Sequence, residues 1–312
     1  AHGGISGKKA ELVIEDMQWA DAASVDSLRT MADWLHARQL TIVLTGRPAF
    51  TPAALAFGRA AHAVVQLPPL PDAGIEAILK AFFGTAPAYP LPRDLHERIV
   101  RQAGGNPFYL EEVVRGLISG GVLEHGEDGW RCAADTGAII VPPTIEGLLL
   151  SRVDRLPPRA RRALQGAAVV GPEFDVALLR EVDTEACDAP MLDLLCQAEF
   201  LARADNATAQ LPAERYSIPA TMVREVVYQN MLLSRRTELH QRAGEVLEKR
   251  CGASPQRLED LEALCHHFSL GADPAHGAHY HVAAGDWARG IYANDDALRH
   301  YERALHTLKT HR

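Results

Sequence analysis

Two apolar runs near the start of the chain, LVI at residues 12–14 and LTIVLT at residues 40–45, set the first limit on the fold. Each is continuous rather than alternating, the pattern of short strands buried on both faces. Between them Val25, Leu28, Met31, Ala32 and Leu35 recur at helical spacing, with Asp21 or Ser24 placed to cap that helix. Strand, helix, strand is a piece of a parallel α/β sheet, because parallel neighbours need a crossover connection. A third short strand is expected at AVVQL, residues 63–67, after a small helical stretch.

Both runs end in polar residues. Glu15 and Asp16 close the first, and Gly46, Arg47 and Pro48 follow the second. Parallel sheets bind ligands beyond the carboxyl ends of their strands, so these are the positions where chemistry is expected. An acidic pair alone also fits a plain solvated turn.

Downstream the pattern turns helical. Residues 71–103 read as helices interrupted by the proline-rich GTAPAYPLPRD. In QAGGNPFYLEEVVRGL, Gly104 and Gly105 end one helix and Pro107 suits the first turn of the next, with Glu111 and Glu112 in its early turns. By spacing alone this is equally an ordinary helix–turn–helix connection. Beyond Pro142 and Pro143 two helices are broken at Pro157 and Pro158, and two short helices follow at residues 174–182 and 190–201. FLARAD and RYSI then suggest a two-stranded wing, so residues 144–235 are expected to form a winged helix. The candidate recognition helix, PMLDLLCQAEFL, carries Asp193 and Glu199 and no Arg or Lys. A helix entering the major groove needs donors for phosphates and guanine edges, so direct nucleic-acid binding is not expected. The run RARRAL at residues 159–164 reads as a solvated face.

The last part is helical again. A basic amphipathic helix carries His240, and Gly285, Ala297, Tyr301 and Ala304 have the small–aromatic–small spacing of a tetratricopeptide repeat. One repeat cannot bury its own face, so the tail is expected to begin a longer array. Cys265, His266, His267, His276, His279 and His281 fall close together, but none at the His-x3-His spacing of one helix turn. They are expected to be helix-surface histidines, not metal ligands.

At 312 residues the chain is long enough for two or three cores, and 47% hydrophobic with 23% charged residues is an ordinary globular composition. No apolar run approaches the ~20 residues of a membrane helix, and no secretory leader opens the chain. Five cysteines without a CxxC pair fit free thiols in a reducing cytoplasm. Forty acids against 32 bases give a net charge of −8, which argues against general affinity for nucleic acid.

EDMQWADAAS, followed by IVLTGRP and later by GNPFYLEEVVRGL, resembles the ATPase module of the STAND class of AAA+ relatives. The likeness is to the modules of large LuxR-type regulators and of class III adenylyl cyclase-associated ATPases. The resemblance implies that Glu15 and Asp16 are the Walker B pair, holding magnesium only together with nucleotide. It implies that Arg47 is the sensor-1 arginine, and that Gly105, Asn106 and Pro107 are the GxP motif of a nucleotide-facing lid. The family's usual His is Gln18 here, whereas Trp19, Ala20 and Asp21 match. In the family's Phe-x-His-Ala-like passage, the Phe position is Ile218 and the His position is Ala220. An alanine has no donor for a phosphate, which removes the resting-state latch.

The expected fold is therefore mostly α with a partial parallel α/β sheet. It comprises a truncated nucleotide-binding core (1–70), a helical lid (71–143), a winged helix (144–235) and a tetratricopeptide-like tail (236–312). A working phosphate loop reads GxxxxGK[ST]. GGISGKK at residues 3–9 is one residue short, has Lys9 in place of the hydroxyl, and runs almost directly into the acidic strand. The expected function is that of a fragment of an ATP-dependent regulatory switch. Its complete module uses ATP or ADP with Mg2+, while this chain binds neither tightly and lacks ATPase activity. Partners are expected to be other protein domains through the tail, with self-association on activation. The rival expectation is a nucleotide-independent protein-interaction scaffold.

Overall fold

The computed structural model describes residues 10–20, 22–35, 40–47, 63–83, 91–126, 129–132, 141–183, 188–204, 214–252, 255 and 257–310. The chain divides into two compact units, Ala1–Pro69 and Leu70–Arg312.

In the first unit β1 (Ala10–Ile14) leads through a 3-10 turn at Met17–Trp19 to α1 (Ala22–Leu35) and β2 (Leu40–Leu44). β1 and β2 pair in parallel, from Ala10 opposite Leu40 to Ile14 opposite Leu44. Met17 and Leu28 are buried, but Val13 is 57% exposed, so these strands are not covered on both faces as their continuous apolar runs imply. AVVQL departs further from expectation. It is not a strand, and Val65 is 79% exposed. β-branched residues favour an extended backbone, but a strand exists only where a neighbour supplies the hydrogen-bond ladder. The GGISGKK segment, Asp21 and Pro48 lie outside the described residues.

The second unit opens with α2 (Asp72–Phe83), α3 (Arg93–Ala103) and α4 (Pro107–Ser119). Ile75, Leu79, Leu95, Ile99, Leu110 and Val113 form their common core. An antiparallel pair, β3 (Leu123–Gly126) and β4 (Gly129–Cys132), adds to it where no strand is expected from sequence. Its Trp130 meets the edge of Phe83 with ring centroids 5.8 Å apart, which gives this short ribbon an apolar anchor.

A second core joins α5 (Ile145–Arg155), α6 (Pro158–Val170), α7 (Val176–Val182), α8 (Ala189–Gln197) and α9 (Thr221–Gln229). Its sheet has three strands in the order β5-β7-β6, all antiparallel: β5 (Glu173–Asp175), β6 (Ala202–Arg203) and β7 (Arg215–Ser217). Phe174, expected to open a helix, lies in β5 and stacks on Tyr216 at 6.4 Å. The helix begins two residues later because Asp175 accepts the backbone N–H of Leu178 at 2.5 Å as its cap.

The tail is a run of four helices, α10 (Leu233–Cys251), α11 (Leu258–Leu270), α12 (Pro274–Gly290) and α13 (Asn294–Thr310). Leu239 and Ala243 of α10 bury against Val169 and Val182, which joins the tail to the preceding core. Leu261, Leu264, Phe268 and Tyr280 form the core of the next layer. Gly285 is needed where α12 meets α13, because a Cβ there would lie 2.6 Å from the Tyr301 ring. Among the described residues no helix is long and apolar enough to cross a membrane.

Candidate functional site

The carboxyl edge of the parallel pair is tied together by one side chain. Glu15 and Asp16 are exposed just beyond β1, and Asp16 adopts a left-handed backbone with φ 57°. That turn lets the Trp19 N–H donate to the Asp16 carbonyl at 2.9 Å and the Met17 N–H donate to the Thr45 carbonyl at 2.9 Å. Gln18 then bridges the two strand ends. Its side-chain N–H donates to Asp16 Oδ1 at 2.9 Å, and its Oε1 accepts the backbone N–H of Arg47 at 3.1 Å. Glu15, Asp16 and Arg47, expected as one site, thus lie at one sheet edge. An amide suits this place because it donates and accepts at once. Two exposed carboxylates are the donor type a hard divalent cation takes, usually with phosphate oxygens and water completing its shell.

Gly105, Asn106 and Pro107 belong to the other compact unit. α3 ends at Gly104 in the left-handed region, φ 54°, and Gly105 follows at φ 81°. Asn106 then caps α4, its Oδ1 accepting from the N–H groups of Phe108 at 3.0 Å and Tyr109 at 3.4 Å. Pro107 occupies the first turn and stays exposed. The Asn106 oxygen is therefore committed to the helix start. Tyr109 braces the turn from behind: its hydroxyl donates to the Pro142 carbonyl at 2.8 Å, and burial pushes its pKa up.

Behind that turn is a charged joint that sequence reasoning missed. Glu112, expected as an early-turn acid, is only 2% exposed and pairs with Arg152 of α5, itself 6% exposed. Arg115 adds a second cation 3.1 Å from Glu112 and also reaches Glu199 at 2.6 Å. Arg152 donates to the Ala198 carbonyl at 2.6 Å and lies 4.6 Å over the Phe200 ring. The joint therefore links α4 to α5 and to the segment after α8. An acid next to the apolar series Leu110, Val113, Val114 and Leu117 was the available signal.

In RARRAL, Arg159 is exposed and Arg161 and Arg162 are half-buried. Arg159 pairs with Asp188 at 3.0 Å, and Arg162 lies 3.4 Å from Asp183, a buried carboxylate also held by Arg235. Asp193 of α8 pairs with Arg203 at 2.8 Å. Ile218 is buried and Ala220 is half-buried, starting α9 without a side-chain cap.

The histidines overturn another expectation. The surface expectation holds for His266, His276 and His279 and fails for His267, His281 and Cys265, which are buried, as are His240 and His300. His240 Nδ1 faces His267 Nδ1 at 3.0 Å, and its Nε2 meets the Tyr228 hydroxyl at 2.9 Å. His281 Nδ1 faces His300 Nδ1 at 3.1 Å. Helix spacing alone hid these pairs, since each forms between helices. Burial lowers the pKa of His240 to about 4 and that of His267 to about 3, and raises that of Cys265 to about 12.

No family model matches the chain. A protein of Rhizobium meliloti (strain 1021), itself uncharacterized, is 25% identical over 300 residues, covering 95% of this chain and 28% of that protein. Among solved structures, the chain is similar to a Signal Transduction ATPase with Numerous Domains (STAND) carrying a tetratricopeptide repeat sensor, from Pyrococcus horikoshii. The TM-score is 0.57 at 13% identity, over 97% of this chain and 39% of that one. The likeness is one of fold. This chain spans well under half the length of either protein.

Proposed function

We propose that this chain is the metal-and-sensor edge, lid, winged helix and first tail layers of an ATP-controlled signalling switch of STAND type. Residues 1–70 belong to the nucleotide-binding core, 71–143 to the lid, 144–235 to the winged helix and 236–312 to the tail. The observation that carries this reading is the Gln18 bridge, which holds Asp16 and the Arg47 backbone on one edge of a parallel strand pair.

In that reading Glu15 and Asp16 hold the magnesium of a bound nucleotide, and the ion supplies charge neutralisation at the phosphates. Arg47 meets the terminal phosphate, while Gly105 and Pro107 present the lid turn to the base. The buried Glu112–Arg152 joint carries lid position to the winged helix, and the tail converts it into contacts with other protein domains and self-association in the cytoplasm. The winged helix serves as a lever, not a DNA reader, because α8 carries Asp193 and no Arg or Lys. GGISGKK departs from the GxxxxGK[ST] pattern, so these 312 residues by themselves are expected to hydrolyse no ATP.

Nucleotide titration of the protein extended by its native upstream coding sequence tests the reading. Arg47→Ala is expected to weaken ATP more than ADP, because only ATP presents the terminal phosphate. Equal losses for both would remove the sensor role, and no nucleotide binding in the extended protein would establish the scaffold reading instead.

A further inference from the structure

Three successive tail helices each bring one buried soft or borderline ligand to a single point. Cys265 comes from α11, His281 from α12 and His300 from α13, and their ligand atoms all lie within 4.8 Å of one another. The two imidazoles face each other through Nδ1 at 3.1 Å, with ring planes tilted by 42°. We propose that Cys265, His281 and His300 form a binding site for one borderline divalent metal ion, Zn2+ foremost, which clasps α11, α12 and α13 together. The site is independent of the nucleotide reading.

The geometry is close to what such an ion requires. With metal–nitrogen bonds of about 2.0–2.1 Å, two nitrogens of a tetrahedral site stand ~3.3 Å apart, and a sulfur and a nitrogen ~3.5 Å apart. The two Nδ1 atoms are close to that spacing at 3.1 Å, and the sulfur, within 4.8 Å of the ligand nitrogens, needs to approach by at most about 1.3 Å, within reach of a side-chain torsion. Ser269 supplies a supporting partner: its hydroxyl lies 3.0 Å from His281 Nε2. Accepting the Nε2–H leaves the His281 Nδ1 lone pair pointing at the site, the tautomer a metal needs. In the metal-free chain His300 Nδ1–H fills the gap between the rings. On binding, that proton leaves Nδ1, His300 takes the Nε2–H tautomer, and the thiol releases its proton to solvent as the metal–sulfur bond forms.

Ordinary core packing is a poorer account of these residues. The surrounding layer is Leu261, Leu264, Phe268, Tyr280 and Ala284, where an aliphatic side chain would pack without burying a polar atom. The ligands also have an entry path, an open groove of about 840 Å³ that Cys265, His281 and His300 themselves line. Arg299 and Arg303 line it too, but Glu262 and Glu302 face the same space and balance them. The groove leaves the fourth metal position to water or to a group from a partner. The nearby His240–His267 pair has the same spacing, yet the described residues place no third ligand atom with it.

The test is metal titration of the full 312-residue chain, reduced and stripped with chelator, using Co2+ as the spectroscopic probe and Zn2+ in competition. One equivalent of Co2+ is expected to give both the visible bands of a tetrahedral site and a near-ultraviolet thiolate-to-cobalt band, each lost when one equivalent of Zn2+ is added. Cys265→Ser is expected to abolish the thiolate band. It should also weaken Zn2+ by more than the ~100-fold that loss of a supporting partner costs, while Ser269→Ala weakens it ~10–100-fold. His306→Ala, at the groove rim, is expected to leave the affinity unchanged. Absence of the thiolate band in the unmutated chain overturns the site without relying on any variant. Zn2+ binding as tight in Cys265→Ser as in the unmutated chain overturns it too.

Discussion

Replacing Arg152 by methionine, which keeps an unbranched apolar stem and removes the guanidinium, tests whether the buried joint holds α4 and α5 together. Glu112 would stay in a site where it is only 2% exposed, left with Arg115 at 3.1 Å as its cation. The Ala198 carbonyl would also lose its 2.6 Å donor. Removing one partner of a buried ion pair costs about 3–5 kcal/mol. Arg115 retains part of the attraction, so the lower end, about 3 kcal/mol, is expected for Arg152→Met. For a cooperative unit of this size that corresponds to a fall in melting temperature of about 6–12 °C. Adding Glu112→Gln removes the stranded charge, so the double variant should be less destabilised than the two single changes summed, by about 1–3 kcal/mol. Differential scanning calorimetry together with urea unfolding reads both quantities. A loss below about 0.5 kcal/mol for Arg152→Met, or strict additivity in the double variant, would show that the joint does not couple these elements.

Two further outcomes concern the tail. His240 is buried against His267, His266 and the Tyr228 hydroxyl, with Arg224 and Arg236 nearby, and its pKa falls from 6.5 to about 4. A base whose folded pKa is lowered takes up its proton more readily when unfolded. The stability it contributes is therefore full above about pH 6.5 and falls with acidity toward pH 4, by about 2 kcal/mol near pH 5. Urea unfolding across that window checks it, and His240→Phe should make the dependence shallower, with His267 supplying part of what remains; no change between about pH 7 and 5 would refute it. Gly285→Ala sets a methyl 2.6 Å from the Tyr301 ring, a clash worth about 1–3 kcal/mol against a propensity gain of about 1 kcal/mol. A lower melting temperature is expected, and an increase would mean that α12 and α13 do not meet there.

What the sequence makes legible is what neighbouring residues decide among themselves. Gly104, Gly105, Asn106 and Pro107 announce a helix end and a helix start because the left-handed turn, the cap and the proline position are all local. The parallel pair is readable for a similar reason, as two apolar runs flank one amphipathic helix. AVVQL has strand composition and no strand, since pairing depends on a partner that the run itself cannot specify. Glu112 and Arg152 meet across 40 positions, and Cys265, His281 and His300 meet across three helices, so no spacing rule finds them. Gln18 reads as a tolerable replacement for the family's histidine, and only the fold gives it a part, as the bridge between Asp16 and Arg47.

Calorimetric titration with ATP and magnesium, run side by side on this chain and on the chain extended by its native upstream coding sequence, tests the switch account most directly. Phosphoryl chemistry depends on loop amides, a lysine and a hydroxyl on magnesium, and GGISGKK does not match the pattern that supplies them. This chain is expected to bind ATP only near the millimolar range, on the order of 4 kcal/mol, and the extended chain at least a hundredfold tighter. Equal, feeble binding by both forms would contradict the switch and leave a nucleotide-independent scaffold. A low-micromolar constant for this chain, abolished by Lys8→Ala, would contradict the account from the other side by making GGISGKK a working phosphate loop.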